Sequence, residues 1–204
     1  MFKRLLSREK TAHPRDIYIV SGLPRSGTSM MMNMLAGGGL PAAVDSIRVA
    51  DEDNPKGYYE LEVVKQLREG KTDWLPSTQG QVVKVISYLL EFLPSNFHYK
   101  VIFMERPIEE ILASQRKMLE RRQEENNISD QEMRQQYVQH LSATKYWLAR
   151  QSNIETLFVR YGDLLSDSKR NTLRIVQFLE IPLDLDAMVA VPDQSLYRNR
   201  SESK

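Results

Sequence analysis

Apolar runs of strand length alternate with longer segments of helical periodicity along this chain. The runs Ile17–Val20, Val82–Ile86, Val101–Met104 and Thr156–Arg160 predict four strands. Apolar residues recurring every three or four positions predict helices at Met30–Leu35, Leu61–Leu67, Ile108–Glu125, Met133–Ala149 and Leu173–Leu179. Such alternation is typical of a parallel sheet covered by helices on both faces. The predicted fold is therefore a three-layer α/β fold with about four to five central strands.

Length and composition predict the domain organisation. A chain of 204 residues, 41% of them hydrophobic, buries a core of its own, so we expect one domain over residues 1–204. Residues 1–15 are expected to form a flexible tail, and residues 192–204 a tail that is flexible or covers a nucleotide. Segments 51–57 and 124–130 are expected to be irregular.

Composition narrows the possible functions. With 28 basic and 27 acidic residues the formal charge is +1, so no overall field recruits nucleic acid, and any anion site must be local. The sequence contains no cysteine, which excludes disulfides, thiolate catalysis and cysteine-bound zinc. No apolar run reaches the roughly 18 residues that span a bilayer. We therefore expect a cytoplasmic protein without a transmembrane segment.

The most informative motif follows the first predicted strand and reads Gly22-Leu-Pro-Arg-Ser-Gly-Thr-Ser29. A glycine-bounded loop between a strand and a helix cradles phosphate with backbone N–H groups and the helix dipole. The spacing is that of a P-loop, which indicates a P-loop NTPase-like fold, but Thr28 stands where the loop lysine is expected. The cation has moved inside the loop, to Arg25. The candidate anion-binding residues are Gly22, Arg25, Ser26, Gly27, Thr28 and Ser29.

A second candidate anion site follows the third predicted strand. Arg106 directly precedes Pro107, which suits a first helical position, and Ser114 lies about two turns into the helix. An arginine and a serine that converge can bind phosphate through charge-assisted hydrogen bonds. From the residues alone, a surface arginine and an ordinary helix serine remain the alternative. Because ligands bind beyond the carboxyl ends of parallel strands, both sites belong to one sheet edge and imply a ligand with phosphates at both ends.

These motifs resemble the sulfotransferases that use 3′-phosphoadenosine 5′-phosphosulfate (PAPS). The loop at Gly22–Ser29 is similar to their 5′-phosphosulfate loop, and the eight-residue spacing of Arg106 and Ser114 matches their 3′-phosphate pair. Two further segments, Phe158-Val-Arg-Tyr-Gly-Asp-Leu-Leu165 and Asp53-Asn-Pro-Lys-Gly-Tyr-Tyr-Glu60, also look like family motifs. Together the motifs span roughly residues 17 to 181.

The resemblance implies roles for the loop and for the second site. Backbone amides from Ser26 to Met30 hold the 5′-phosphosulfate, with the Thr28 and Ser29 hydroxyls. Arg25 stabilises charge on the bridging oxygen as the sulfuryl group leaves. Arg106 and Ser114 bind the 3′-phosphate. Tyr161 contacts the nucleotide, or is a buried aromatic residue at a strand end. PAPS is the cosubstrate, and no metal is expected.

The catalytic base is less defined by the sequence. Many cytosolic members use a histidine shortly after a motif strand, and none of the three histidines here occupies such a site. Glu60 is the leading candidate for accepting the acceptor's proton, although a glutamate in a first helical turn is favoured by the helix dipole alone. Weaker candidates are Asp45, Asp51 and Asp53. Lys84 either faces the cleft and neutralises the transferred group or is an exposed charge on an edge strand.

The acceptor and the competing functions stay open at this stage. The acceptor is a small molecule or polymer that carries a hydroxyl (or an amine), and the aromatic residues that either line its pocket or belong to the core are Tyr58, Tyr59, Trp74 and Tyr88. A kinase-type phosphotransferase and a non-catalytic nucleotide-binding protein of the same fold are the alternatives. Self-association that completes the cleft is possible for so short a chain.

Overall fold

A computed structural model of the chain describes residues 16–45, 59–124 and 128–193. The strands are β1 (Ile17–Gly22), β2 (Val82–Lys84), β3 (Tyr99–Glu105) and β4 (Ile154–Arg160). The α-helices are α1 (Thr28–Gly37), α2 (Ile108–Arg122), α3 (Asp130–Leu148), α4 (Tyr161–Ser166), α5 (Ser168–Leu179) and α6 (Leu185–Val189), and 3₁₀ helices span Glu62–Glu69, Leu75–Thr78 and Ser87–Phe92. The predictions for residues 1–15, 51–57 and 194–204 lie outside the described residues.

All the strand pairs of the sheet are parallel, in the order β2-β1-β3-β4. This confirms the predicted α/β fold and its four central strands. Outside these strands, Ala42 forms a parallel bridge with Val82 on the outer side of β2. The chain thus crosses repeatedly from strand to parallel strand, which requires connections over the faces of the sheet.

Helices cover both faces of the sheet, as the alternating pattern predicts. On one face, α1, α4, α5 and α6 pack around a core that includes Met31, Leu164, Ile175 and Met188. On the other face, α3 and the 3₁₀ helices enclose a second core with Leu67, Leu75, Leu90 and Leu148. A smaller cluster joins α2 and α3 to the loop after β1 through Leu23, Ile111, Leu112 and Tyr137. This third cluster fixes α2 beside the candidate phosphate loop.

Some element bounds differ from the sequence prediction for local reasons. The helix at Glu62–Glu69 is a 3₁₀ helix, and Pro107 is the N-cap of α2 rather than its first helical residue. Helix α2 ends at Arg122, earlier than predicted, because Gln123 takes a left-handed backbone conformation with φ of 55°. Across the described ranges, no helix combines the length and apolarity needed to cross a membrane.

We predict that truncating the core side chain of α4 destabilises the fold far more than the same change at the surface. Leu164 is 0% exposed, whereas Leu173 is 42% exposed. Leu164→Ala leaves a cavity and is expected to lower the free energy of unfolding by about 2–5 kcal/mol, and Leu173→Ala to change it by less than about 0.5 kcal/mol. Urea denaturation of the two variants measures the difference. Equal effects would mean that α4 is not packed on the sheet as described.

Candidate active site

The strand register brings the candidate residues to one edge of the sheet. Gly22 at the end of β1 pairs with Met104 of β3, and Glu105 pairs with Arg160 of β4. The loop after β1, Arg106 and Tyr161 therefore start at neighbouring strand ends. This is the edge at which parallel sheets bind ligands.

The phosphate loop begins with a tight turn whose third residue is strained. The Ser26 N–H donates to the Leu23 carbonyl at 3.1 Å, with Pro24 and Arg25 between them. Arg25 has φ of 69°, a left-handed value that favours glycine. The loop cation is thus held in a conformation that a non-glycine residue adopts only at a cost.

Glycine is required at both ends of the loop by close contacts as well as by φ. A Cβ on Gly22 (φ 145°) would lie 2.5 Å from Ser26 Oγ and 2.7 Å from the Met104 carbonyl oxygen. A Cβ on Gly27 (φ 101°) would lie 2.4 Å from the Tyr161 ring. Both glycines therefore let the loop backbone pack directly against β3 and Tyr161.

Helix α1 directs its first amides into the loop. Met31 N–H makes the first bond of the helix, to the Gly27 carbonyl at 3.1 Å, so the amides of residues 28–30 precede the first helical hydrogen bond. The Ser26 amide, expected to join them, is occupied by the turn. The buried Ser26 Oγ, however, has no hydrogen-bond partner among the described residues. Amides at a helix N-terminus beside a buried hydroxyl fit a bound anion.

Arg25 connects the two predicted anion sites directly. Its Nε–H donates to Ser114 Oγ at 3.0 Å. Its carbonyl oxygen accepts a hydrogen bond from Arg106 Nη1 at 3.2 Å. The structure thus brings together Arg25, Arg106 and Ser114, although the sequence placed them in separate motifs.

The Arg106 guanidinium is fixed by an acidic residue that the sequence analysis missed. Arg106 Nε donates to Glu110 Oε2 at 2.9 Å, and the two side chains are 8% and 2% exposed. The guanidinium carbon lies 4.6 Å from the centre of the Tyr161 ring. Burial raises the pKa of Tyr161 although Arg106 opposes this shift, so the phenol stays protonated. Because Arg106 precedes the Pro107 N-cap, the i,i+4 rule for helical pairs does not apply to it, and no sequence pattern points to this pair.

Lys84 lies between the loop after β1 and Glu60. Its Nζ donates to Ser29 Oγ at 3.1 Å and lies 3.7 Å from Glu60 Oε1, and its side chain is 9% exposed. The side chain is therefore largely buried, although β2 is an edge strand of the sheet. Glu60 precedes the 3₁₀ helix that begins at Glu62, so the dipole of a first helical turn does not explain it.

Hydrogen bonds to Asp45 and to α1 hold the backbone around Glu60. The Glu60 carbonyl accepts a hydrogen bond from the Asp45 amide at 3.0 Å, and the Asp45 carboxylate accepts one from the Glu62 amide. The Tyr59 hydroxyl donates a hydrogen bond to Asn33 Oδ1 of α1 at 3.0 Å. Asp45 thus serves this local structure, and Asp51 and Asp53 lie outside the described residues.

Two other candidate aromatic residues, Tyr88 and Trp74, contact residues outside the loop. Tyr88 stacks on His140 with ring centres 3.7 Å apart, and His140 Nε2 is 2.8 Å from Ser87 Oγ. Burial lowers the pKa of His140, which keeps the ring neutral within this packing. The Trp74 indole donates to the Lys71 carbonyl. Tyr58 lies outside the described residues.

Comparison with known proteins identifies the family of the chain. A family model described as a sulfotransferase domain matches residues 14–204. The chain therefore belongs to the sulfotransferase family, as its motifs predict. No curated protein shows significant sequence similarity to it.

Three solved sulfotransferase structures share the fold at low sequence identity. Sulfotransferase STF1 from Mycobacterium tuberculosis is 16% identical with a TM-score of 0.58, and the match covers 91% of this chain and 74% of that one. The sulfotransferase domain of the Synechococcus olefin synthase is 15% identical with a TM-score of 0.53, covering 93% and 81%. Mouse sulfotransferase SULT7A1, crystallised with 3′-phosphoadenosine 5′-phosphate (PAP), is 14% identical with a TM-score of 0.52, covering 95% and 70%.

We predict that the backbone strain at Arg25 lowers the free energy of unfolding by a measurable amount. Arg25→Gly and Arg25→Ala both remove the guanidinium, but only glycine relieves the left-handed φ of 69°. Arg25→Gly is expected to be about 1 kcal/mol more stable than Arg25→Ala in urea denaturation. Identical stabilities would mean that the strain relieved by glycine does not exceed the entropy that glycine adds to the unfolded chain.

Proposed function

We propose that this chain transfers the sulfuryl group of PAPS to a hydroxyl (or an amine) of an acceptor. The observation that carries the proposal is the link between two anion-binding sets at one sheet edge. Arg25 of the loop bonds Ser114 at 3.0 Å and Arg106 at 3.2 Å. A ligand with phosphate at each end engages both sets at once, which a nucleotide with phosphates at one end does not.

The proposed 5′-phosphosulfate site is the loop itself. The amides of Thr28, Ser29 and Met30 and the side chains of Ser26, Thr28 and Ser29 bind the phosphosulfate oxygens, within the cradle that Gly22 and Gly27 permit. Arg25 stabilises the negative charge that develops on the bridging oxygen as the sulfur–oxygen bond breaks.

The proposed 3′-phosphate site consists of Arg106 and Ser114. An arginine donates bidentate, charge-assisted hydrogen bonds to phosphate, and the α2 hydroxyl adds a neutral one. Tyr161 supports this site through its contact with the Arg106 guanidinium. This site distinguishes PAPS from ATP, which has no 3′-phosphate.

Glu60 is the proposed general base, and Lys84 its partner. The acceptor oxygen attacks sulfur in line with the bridging oxygen, its proton passes to Glu60, and PAP leaves. Lys84 lies between Ser29 of the loop and Glu60, so its charge faces both the transferred group and the base. The cations and amides of the site supply the charge stabilisation, and we propose that no metal is required. A cytoplasmic location and self-association stay predictions of the sequence.

The first test is calorimetric titration with PAP, with and without EDTA, and with ATP and Mg²⁺. We expect binding of PAP that EDTA does not change. Arg106→Ala is expected to weaken PAP binding at least tenfold, because a charged hydrogen bond to phosphate is lost.

Arg160→Ala is the matched control, since Arg160 also ends a strand but is exposed. It should bind PAP as the wild type does. If ATP with Mg²⁺ binds and PAP does not, a kinase-type activity would replace the proposal.

The second test concerns the base. With labelled PAPS and a panel of alcohols, phenols and amines, Glu60→Gln is expected to lower turnover by about 10²- to 10⁴-fold, because the amide cannot accept the proton. Its affinity for PAP should stay within threefold of wild type.

Glu62→Gln is the control variant, because Glu62 lies two residues away and pairs with Lys65 at the surface. It should keep full turnover. Unchanged turnover in Glu60→Gln would exclude Glu60 as the base, and PAP binding without turnover of any acceptor would support a binding protein.

A further inference from the structure

Glu110 is a buried carboxylate that lies beside the candidate nucleotide site and contacts Arg106. Its side chain is 2% exposed, and its Oε2 accepts the Arg106 Nε–H at 2.9 Å. A buried ion pair is weak evidence for a stabilising role, because desolvation of the two charges offsets much of their attraction. The position of this pair therefore calls for a functional explanation.

Arg106 is held on three sides. Glu110 accepts from Nε, the Arg25 carbonyl accepts from Nη1, and the Tyr161 ring lies against the guanidinium face at 4.6 Å. A long arginine side chain has many rotamers, and these contacts select one of them. Among these three contacts, the one with Glu110 brings a negative charge, and the bond to Nε constrains the direction in which the guanidinium plane points.

Helix α2 also sets the distance between Glu110, which holds Arg106, and Ser114, which bonds Arg25. Glu110 and Ser114 are four residues apart on α2, so they project from the same face one turn from each other. Both are buried, and each bonds one of the two arginines of the site. One helix face thus carries the anchor of Arg106 and the hydroxyl that faces Arg25.

We propose that Glu110 is a positioning residue that orients Arg106 toward the 3′-phosphate and thereby sets the selectivity for nucleotides with a 3′-phosphate. This inference rests on the proposed function. It assigns Glu110 an effect on one phosphate of the ligand only, transmitted through the Nε hydrogen bond.

The experiment compares the dissociation constants of PAP and adenosine 5′-monophosphate, which differ by the 3′-phosphate. Glu110→Ala is expected to weaken PAP binding at least tenfold and to change binding of the monophosphate less than threefold. Glu110→Gln keeps an oxygen that accepts from Nε, so it is expected to bind PAP within threefold of wild type or more tightly. Glu109→Ala, on the exposed side of α2, is the control and should match wild type.

A double-mutant cycle separates positioning from a structural role. If Glu110 acts through Arg106, the Arg106→Ala/Glu110→Ala variant binds PAP no more weakly than Arg106→Ala alone. Thermal denaturation identifies variants that do not fold. If Glu110→Ala does not fold, Glu110→Gln still tests the proposal.

Each other result overturns the inference. Tighter PAP binding in Glu110→Ala would mean that the carboxylate competes with the phosphate. Equal losses for both nucleotides, a further loss in the double variant, or a tenfold loss in Glu110→Gln would mean that the Nε bond does not set selectivity. A wild-type protein that does not discriminate PAP from the monophosphate would overturn the proposed function as well, whereas discrimination that is indifferent to Glu110 would overturn this inference alone.

Discussion

The parallel pairing of β1 with β3 is the constraint on which the site depends. The register that opposes Gly22 and Met104 places the loop and Arg106 at the same level of the sheet. A shift by one residue would turn the side chains of a strand to the opposite face and separate the two motifs. Because both strands are buried on both faces, the two apolar cores fix this register. The Arg106–Arg25 hydrogen bond is a consequence of it.

Moving the cation from the end of the loop to Arg25 changes how the loop is built. A lysine in the first turn of the helix would reach the ligand from an ordinary helical backbone. Arg25 instead occupies the third position of a tight turn with φ of 69°, where glycine would be unstrained. The strain is held by neighbours: Ser26 closes the turn, Arg106 bonds the Arg25 carbonyl, and Ser114 bonds its side chain. Backbone strain that neighbouring residues maintain is common at ligand-binding and active sites.

The fold and half of the site could be predicted from the sequence because their signals are local. Strand runs, a glycine-bounded loop and an arginine after a strand each have a physical meaning within a few residues. Three features could not be predicted from local signals. They are the contact of Glu110 with Arg106, the direction of the Lys84 side chain and the role of the Ser26 amide in the turn. Glu110 looks like any acidic residue in a first helical turn. Its burial, and the contact of Lys84 with Ser29, depend on which elements the sheet brings together.

The paired charges of the site suit a reaction in which negative charge moves. Among the described side chains named here, Arg25, Lys84 and Arg106 contribute +3 and Glu60 and Glu110 contribute −2, which leaves +1 before the α1 dipole is added. In the proposed reaction, the bridging oxygen becomes a phosphate oxygen and gains charge while Glu60 takes up the acceptor's proton. Protonation of Glu60 removes the carboxylate charge 3.7 Å from the Lys84 ammonium. The lysine, bonded to Ser29 of the loop, is then less neutralised at the moment when the leaving group becomes more negative. In the proposed reaction, the Lys84–Glu60 pair therefore links proton transfer to stabilisation of the departing nucleotide.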